Sequence, residues 1–462
     1  MANLLRDHVA RVSLLTLALL VTVATVPSVV RAQSLEILAA NVKIDPDQIS
    51  VSGISSGAFM AHQFHVIHSA NIMGMGAVAG GPYYCAEGSM VDAITKCSSF
   101  MVLSCAEATK NLNVFDCSTG FTGPRTDAEA VAMASASFAE AKAQSGSGID
   151  DISNLARARV YLFRGEEDVI VPLNVMGAVR HFYVDDDKGG AEAENVFFND
   201  TFVVRHAMVT DNLYRQSPRI VGLCNTGKPV EGDTFVVDCA KEATAAMSKN
   251  SCECTGFVCS ESTPEVAETC TEAAQVDLAG AILAHIYGEL APRQPLVSNI
   301  GTGVGVDKAL SDLIVAFDQK SVFERIAPGW AANSIINASM APKGYIFIPE
   351  TCRTGATCRL HVAFHGCKQG GETGKRAARG YSGNIFAKYA GYNEWAKTNN
   401  IVVLYPQVSA WNTAPVNPQG CWDWWGQFYT HGAYHTKGGL QTRAVAEMIN
   451  ILLDEERLEV PD

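Results

Sequence analysis

Apolar and polar positions along this chain change their period several times after residue 48. Short strand-like runs, several of them apolar throughout, alternate with segments whose apolar residues recur every three or four positions. The strand-like runs are residues 48–52, 159–163, 202–204, 344–348, 360–364 and 401–405, and the helical segments are residues 57–69, 128–144, 278–286, 384–397 and 440–453. This alternation predicts an α/β protein with a mainly parallel sheet and helices on both faces.

The first 32 residues have a different pattern. Arg6 and Arg11 precede an uncharged apolar run over residues 12–26, and Ala32 offers a small residue for cleavage. This arrangement is typical of a secretory signal peptide, whereas an uncleaved membrane anchor usually needs about 20 apolar residues. We therefore expect residues 1–32 to be removed and residues 33–462 to form one domain. That domain would be secreted or periplasmic and would not associate with a membrane.

The number and the positions of the cysteines agree with export from the cell. The chain contains 14 Cys, all of them after residue 32, and an even number in an exported protein indicates a disulfide framework. Six lie within residues 224–270, where the strand–helix alternation stops. We interpret about residues 210–275 as a Cys-rich insertion tied by disulfides. Cys252, Cys254 and Cys259 lack the CxxC pairs of a zinc ribbon, so we expect no metal.

Composition excludes one class of function. The formal net charge is -13, with 48% hydrophobic and 18% charged residues. This balance is that of a globular protein, and no basic patch interrupts the acidic surface. Nucleic-acid binding is therefore not expected.

A candidate nucleophile lies where the first strand meets the first helix. Gly53-Ile54-Ser55-Ser56-Gly57 has the G-x-S-x-G spacing and is flanked by strand-like and helical segments. The glycines allow a sharp turn that lifts Ser55 above the sheet edge, and the helix N-terminus directs N–H groups at a developing oxyanion. The alternative is a Gly/Ser turn that merely joins two elements.

A serine nucleophile needs a base and an orienting carboxylate. Asp168 follows the strand 159–163 and precedes a Val-Pro that opens a helix, which suits the carboxylate. Glu166 and Glu167 remain rivals, and a helix-capping role for Asp168 is the alternative interpretation.

His206 is the candidate base, because it follows an apolar stretch soon after Asp168. In the usual chain order of α/β-hydrolases the histidine comes last, which would favour His431 or His435 instead. The choice between these histidines depends on the order of the remaining elements.

A second motif lies in an unexpected half of the chain. The strand at 360–364 runs into His365-Gly366-Cys367, similar to the loop that supplies an oxyanion N–H in α/β-hydrolases. That loop normally precedes the nucleophile, and here it follows it. A circular permutation that opens the chain before the nucleophile strand accounts for the order and supports His206. It predicts two halves, residues 33–290 and 291–462, with neighbouring termini.

Three motifs together resemble a known family. Gly53-Ile-Ser-Ser-Gly57, Phe364-His-Gly-Cys367 and Cys421-Trp-Asp-Trp-Trp-Gly426 are similar to the polyhydroxybutyrate depolymerase esterases, which are circularly permuted α/β-hydrolases. The resemblance covers about residues 49–453. It implies a cofactor-free serine esterase that acts on polyesters or oligoesters through an acyl-enzyme. Small-ester carboxylesterase activity and a non-catalytic secreted binding protein are the alternatives.

The resemblance also implies roles for individual groups. Ser55 would be the nucleophile, Asp168 the acid and His206 the base, and the oxyanion hole would consist of the backbone N–H groups of Ser56 and Cys367.

The aromatic motif admits two interpretations. Trp422, Trp424 and Trp425, together with His365, could line an apolar groove that binds an aliphatic polyester. They could equally form an aromatic core under a loop. We further predict disulfides between Cys367 and Cys421, which would fix the oxyanion loop, and between Cys352 and Cys358.

Overall fold

The structure is a computed structural model that describes most of the chain after residue 31. The described residues are 32–99, 120–166, 168–185, 190–202, 206–210, 236–238, 253–255, 258–260, 277–297, 309–310, 312–327, 335, 338–370, 384–411, 417–427 and 433–461. The predicted signal peptide, apart from Ala32, and most of the predicted Cys-rich insertion lie outside these residues.

One eight-stranded sheet organises the compact unit Ser34–Asp462. Its strands are β1 (Lys43–Ile54), β2 (Ile72–Val78), β3 (Arg159–Phe163), β4 (Val196–Asn199), β9 (Val315–Asp318), β10 (Lys343–Phe347), β11 (Thr357–Phe364) and β12 (Ile401–Tyr405). They are ordered β4-β3-β2-β1-β11-β12-β10-β9, and β10 runs antiparallel to both of its neighbours. Two smaller pairs join β5 (Met208–Thr210) to β6 (Val236–Asp238) and β7 (Glu253–Thr255) to β8 (Val258–Ser260).

Helices cover both faces of this sheet. They are α1 (Leu35–Ala39), α2 (Ser56–Ile67), α3 (Met90–Thr95), α4 (Asp127–Gln144), α5 (Leu173–Val184), α6 (Leu278–Tyr287), α7 (Gln319–Ile326), α8 (Glu350–Arg353), α9 (Ile385–Tyr389), α10 (Tyr392–Asn399) and α11 (Leu440–Leu453). One core contains Phe64 of α2 and Met448 of α11, and a second core contains Ile282 of α6 and Tyr392 of α10. The predicted α/β class with helices on both faces is confirmed. No helix among the described residues is both long enough and apolar enough to cross a bilayer.

Several predicted elements need correction. The predicted helix 384–397 is two helices, since Gly391 adopts a φ of 92° between α9 and α10. The predicted strand 202–204 is not observed at Phe202, and residues 203–204 lie outside the described chain. Strand β2 was not predicted from the pattern because Gly74 and Gly76 interrupt it. A Cβ on Gly76 would lie 2.6 Å from Ile282 of α6, so close helix packing requires this glycine.

The chain is connected as a circular permutation predicts. Strand β1 lies in the middle of the sheet between β2 and β11, and the last helix, α11, packs beside β1 and α1. Near the two ends, the guanidinium of Arg457 lies 2.8 Å from the carboxylate of Asp47. Arg325 also contacts both Glu36 and Glu447. The early and late parts of the described chain are therefore neighbours.

Candidate active site

Ser55 occupies a strained turn between β1 and α2. Its backbone has φ 56° and ψ -125°, a conformation that a serine rarely adopts. The Ser55 N–H donates to the carbonyl of Val78, and its own carbonyl accepts N–H groups from Ala58 and Phe59. The turn is compact, because a Cβ on Gly53 would lie 2.2 Å from the carbonyl oxygen of Gly57. The sequence thus builds a nucleophile elbow at the carboxyl end of the central strand.

Asp168 and His206 form a buried pair at the same edge of the sheet. Asp168 Oδ2 lies 2.8 Å from His206 Nδ1, and Asp168 Oδ1 accepts the N–H groups of Ile170 and Val171 at 2.8 and 3.0 Å. Because an ionised carboxylate only accepts hydrogen bonds, His206 carries its proton on Nδ1. This tautomer leaves Nε2 as the basic nitrogen. Among the described residues, no hydrogen bond joins Ser55 Oγ to His206.

Arg164 fixes the loop that carries the acid. This buried guanidinium donates to the backbone carbonyls of Glu166, Asp168 and Val171. It therefore ties both ends of the loop to one side chain, and its positive charge lies beside the Asp168 carboxylate. Sequence reasoning missed Arg164. A cation directly after the buried residues 160–163 of β3 is the signal that could have identified it.

One rival acid is less well placed than Asp168. Glu166 is exposed, and Glu167 lies outside the described residues. The capping interpretation of Asp168 is also not supported, since Pro172 is the N-cap of α5 and no side chain caps it.

The rival base His435 is engaged elsewhere. Its Nε2 lies 3.0 Å from Glu140 Oε1, and its ring packs 4.1 Å from the ring of Tyr84. His431 lies outside the described residues. Of the candidate histidines in the described chain, His206 is the one hydrogen-bonded to a candidate acid.

The predicted oxyanion loop follows β11 and lies against the elbow. A Cβ on Gly57 would lie 2.3 Å from the carbonyl oxygen of Phe364, so α2 directly abuts the end of β11. The N–H of Ser56 belongs to the first turn of α2, where N–H groups have no intrahelical acceptor. This contact brings Ser56 and the residues after Phe364 to one place.

The backbone of the oxyanion loop is tightly constrained. Gly366 donates its N–H to Gln369 Oε1 at 2.6 Å, and Lys368, at φ 68°, donates its N–H to the carbonyl of Gln419 at 2.6 Å. Between them, Cys367 forms a disulfide with Cys421, as predicted. A loop held on both sides in this way keeps the Cys367 N–H in a fixed direction.

Two other disulfides are found among the described residues. Cys352 and Cys358 are bridged as predicted, and Cys85 pairs with Cys97. Within the described part of the chain, no group of three His, Cys, Asp or Glu converges as a metal site requires.

His365 does not line a groove, which corrects the expectation for it. The side chain is fully buried, with Nδ1 2.7 Å from the carbonyl oxygen of Gly366 and Nε2 accepting the N–H of Val408 at 3.1 Å. Burial lowers the pKa of His365 to about 4, so it is neutral at pH 7. Because both of its ring nitrogens are hydrogen-bonded to the backbone, His365 supports the oxyanion loop and is not available to a substrate.

The tryptophans divide between the two interpretations. Trp422 is fully buried and its ring packs edge-on against Phe364, so this residue belongs to the core and corrects the expectation of a groove. Trp424 and Trp425 keep 9% and 7% of their surface exposed. Trp424 stacks on Phe59 of α2, with ring centroids 3.9 Å apart. These two rings remain candidates for substrate contact.

Fold and site together define the class of protein. A mainly parallel sheet, a strained serine between a central strand and a helix, and a buried Asp–His pair at the same edge are the features of an α/β-hydrolase fold, here in circularly permuted order.

Comparison with known proteins identifies two similar sequences, although no protein-family profile matches the chain. The chain is 33% identical over 413 residues to a poly(3-hydroxybutyrate) depolymerase from Delftia acidovorans, over 88% of this chain and 60% of that protein. It is 29% identical over 418 residues to a polyhydroxybutyrate depolymerase from Talaromyces funiculosus, over 88% of this chain and 89% of that protein. The chain is therefore similar in sequence to polyhydroxybutyrate depolymerases, and it spans about three-fifths of the length of the Delftia relative.

Two solved structures share the fold. A PHB depolymerase complexed with an R3HB trimer superposes with a TM-score of 0.58, and the PHB depolymerase from Penicillium funiculosum with a TM-score of 0.57. Each is 24% identical and covers 89% of this chain and 98% of the other. At this identity, the likeness supports the fold alone.

Proposed function

We propose that this protein is a secreted or periplasmic serine esterase. It hydrolyses ester bonds of poly(3-hydroxybutyrate), or of related short-chain polyhydroxyalkanoates and their oligomers, through an acyl-enzyme. The observation that carries the proposal is the buried Asp168–His206 pair at the sheet edge where Ser55 occupies its strained turn. The three disulfides among the described residues support an oxidising compartment.

The mechanism follows from the tautomer that Asp168 imposes. His206 Nε2 takes the proton of Ser55 Oγ as that oxygen attacks the ester carbonyl carbon. The N–H groups of Ser56 and Cys367 bind the resulting oxyanion, and one such donor contributes about 2.7–4 kcal/mol in comparable sites. Collapse of the intermediate breaks the ester C–O bond, and His206 protonates the leaving alkoxide. Water then hydrolyses the acyl-enzyme by the same steps, with His206 as base.

Two observations support a polyester substrate: the names of the relatives and the aromatic residues near the acid loop. Both curated relatives are named as depolymerases of polyhydroxybutyrate. Trp424 and Trp425 pack in the same cluster as Val171, which lies at the end of the acid loop, and their exposed edges would contact an aliphatic chain. A polyester segment is neutral and apolar between its ester groups, which fits such a surface.

The test is release of 3-hydroxybutyrate and its oligomers from amorphous polymer by the wild-type protein and by Ser55→Ala. Product from the wild type and none from the variant supports both the substrate and the nucleophile. A wild type inert on polymer that cleaves p-nitrophenyl butyrate through Ser55 would instead be a small-ester carboxylesterase. Failure of the wild type to react with an organophosphate would favour a non-catalytic binding protein.

A further inference from the structure

Both proposed oxyanion donors are attached through their side chains to two consecutive residues, Cys421 and Trp422. Cys367 is bonded to Cys421 by the disulfide. The Ser56 hydroxyl accepts the backbone N–H of Trp422 at 3.4 Å, a long hydrogen bond. The two donors come from distant parts of the sequence, and the Cys421–Trp422 dipeptide provides a common anchor for them.

The anchor also contacts the oxyanion strand directly. The buried Trp422 ring lies 5.0 Å from the ring of Phe364 and 5.5 Å from that of His365, measured between centroids. Just before the anchor, the carbonyl of Gln419 accepts the N–H of Lys368. A shift of residues 419–422 would therefore move the oxyanion loop through several contacts at once.

One side chain determines where the anchor lies. Asn417 Oδ1 accepts the N–H of Cys421 at 2.9 Å, and Asn417 Nδ2 donates to the carbonyl of the same residue at 2.8 Å. The second Nδ2 hydrogen goes to Ser339 Oγ at 2.9 Å, and Ser339 in turn donates to the carbonyl of Ser409. Asn417 is 2% exposed, so these bonds are shielded from water.

We propose that Asn417 is a positioning residue for the oxyanion hole. It contacts no substrate and acts through Cys421 and Trp422, which set the direction of the Cys367 and Ser56 N–H groups. An oxyanion hole works only when its donors lie about 2.7–3.1 Å from the developing oxyanion, so small displacements of the anchor reduce the rate. The inference rests on the proposed function.

The variant Asn417→Asp changes the contacts of this side chain with Cys421 and with Ser339. A carboxylate keeps the Oδ1 acceptor for the Cys421 N–H, but it places an oxygen against the Cys421 carbonyl where the amide had a donor. Repulsion between these two acceptors displaces the anchor. The side chain keeps its size, so the core around it is not opened.

The chain offers a matched control in Asn450 of α11. Its Oδ1 accepts the N–H groups of Arg457 and Leu458, and its Nδ2 donates to the carbonyl of Leu458 at 2.8 Å. It is 6% exposed and holds the loop after α11 in the same way. Asn450→Asp creates the same repulsion with no contact to the anchor.

The experiment compares both variants with the wild type in thermal unfolding, in kcat and KM on p-nitrophenyl butyrate, and in binding of a trifluoromethyl ketone that mimics the tetrahedral intermediate. We expect similar losses of Tm. Asn417→Asp should lower kcat about 10- to 100-fold, with KM changed less than about twofold and ketone affinity reduced in proportion to kcat. Asn450→Asp should keep the wild-type kcat.

Equal kcat values for the two variants would overturn the inference. If Asn417→Asp does not fold, Ser339→Ala replaces it, since it removes one partner of Asn417 and should lower kcat in the same direction. An unchanged kcat in that variant would also overturn the inference. Activity that survives Ser55→Ala would count against the proposed function itself, and the two failures are therefore distinguishable.

Discussion

Gly57 lies directly against the end of β11. A Cβ at this position would be 2.3 Å from the carbonyl oxygen of Phe364 and 2.5 Å from that of His365. Both are backbone atoms, one in the last residue of β11 and one in the residue after it, so neither can rotate away as a flexible side chain would. The closeness of these two elements sets the spacing between the nucleophile elbow and the oxyanion loop.

Gly57→Ala should therefore separate the elbow from the loop. We expect kcat/KM on p-nitrophenyl butyrate to fall about 100-fold, since a displacement of about 1 Å has that effect in catalytic sites. Gly177→Ala is the control, because nothing lies within 4 Å of a Cβ there and alanine favours the interior of α5. Equal activity of the two variants would contradict the spacing argument.

Asp168→Asn should inactivate the protein without unfolding it. The asparagine oxygen is required by the N–H groups of Ile170 and Val171, so its NH₂ group must face His206 Nδ1. The imidazole then carries its proton on Nε2 and cannot act as a base. We expect kcat to fall about 10⁴-fold, the size of this effect in serine proteases, with a circular dichroism spectrum like that of the wild type. A fall below tenfold would rule out this role for Asp168.

Removing the Cys367–Cys421 disulfide should reduce catalysis, although both cysteines lie far from Ser55 in the sequence. Replacing both cysteines by serine frees the oxyanion loop, and we expect kcat to fall about tenfold or more. The control replaces Cys352 and Cys358, whose disulfide joins α8 to the start of β11, at the opposite end of that strand from the loop. Both pairs should be assayed well below their unfolding temperatures. A similar loss in the control would attribute the effect to general stability.

Stability should decrease as the pH falls below about 6.5. Burial lowers the pKa values of five histidines from 6.5 to about 4 for His62 and His365 and about 3 for His65, His68 and His361. Below pH 6.5 the unfolded chain binds protons that the folded chain excludes, so each group lowers the unfolding free energy by about 1.4 kcal/mol per pH unit until its folded pKa is reached. Urea denaturation at pH 7, 6 and 5 measures this slope. A flat profile would contradict it.

His68 provides a direct test of that linkage. Both of its ring nitrogens are buried and have no hydrogen-bond partner among the described residues, and its ring lies 4.7 Å from that of Phe64. His68→Leu removes one titrating group and no hydrogen bond. We expect stability at pH 7 to be retained or increased and the pH slope to decrease by about 1.4 kcal/mol per unit. An unchanged slope would show that His68 does not titrate on unfolding.

Local pattern predicted much of the fold, and the exceptions have physical causes. Strands β3 and β12 were predicted at their observed bounds because continuous apolar runs are unambiguous. The glycines of β2 and the left-handed Gly391 reflect packing between elements distant in sequence, which a local pattern does not contain. The same limit explains why the burial of Trp422 was not predicted, because an aromatic motif fits a groove and a core equally well.

The candidate site was predictable to the extent that motifs define it. G-x-S-x-G and His-Gly-Cys have a local geometry that the sequence alone specifies. Arg164 and Asn417 were missed because their roles depend on backbone carbonyls and N–H groups, which every residue has. Polar side chains that bond to the main chain leave no pattern of complementary residue types.

The central position of β1 also affects how the protein must be made. This strand is synthesised well before its neighbour β11, because the paired residues Ser50 and His361 are 311 positions apart. Closing so long a segment is slow, and until it happens one edge of an apolar strand has no partner. A chain truncated before β11 would carry Ser55 with no oxyanion loop and an aggregation-prone open edge. The proposed oxyanion hole therefore cannot form until β11 and the loop after it have been synthesised.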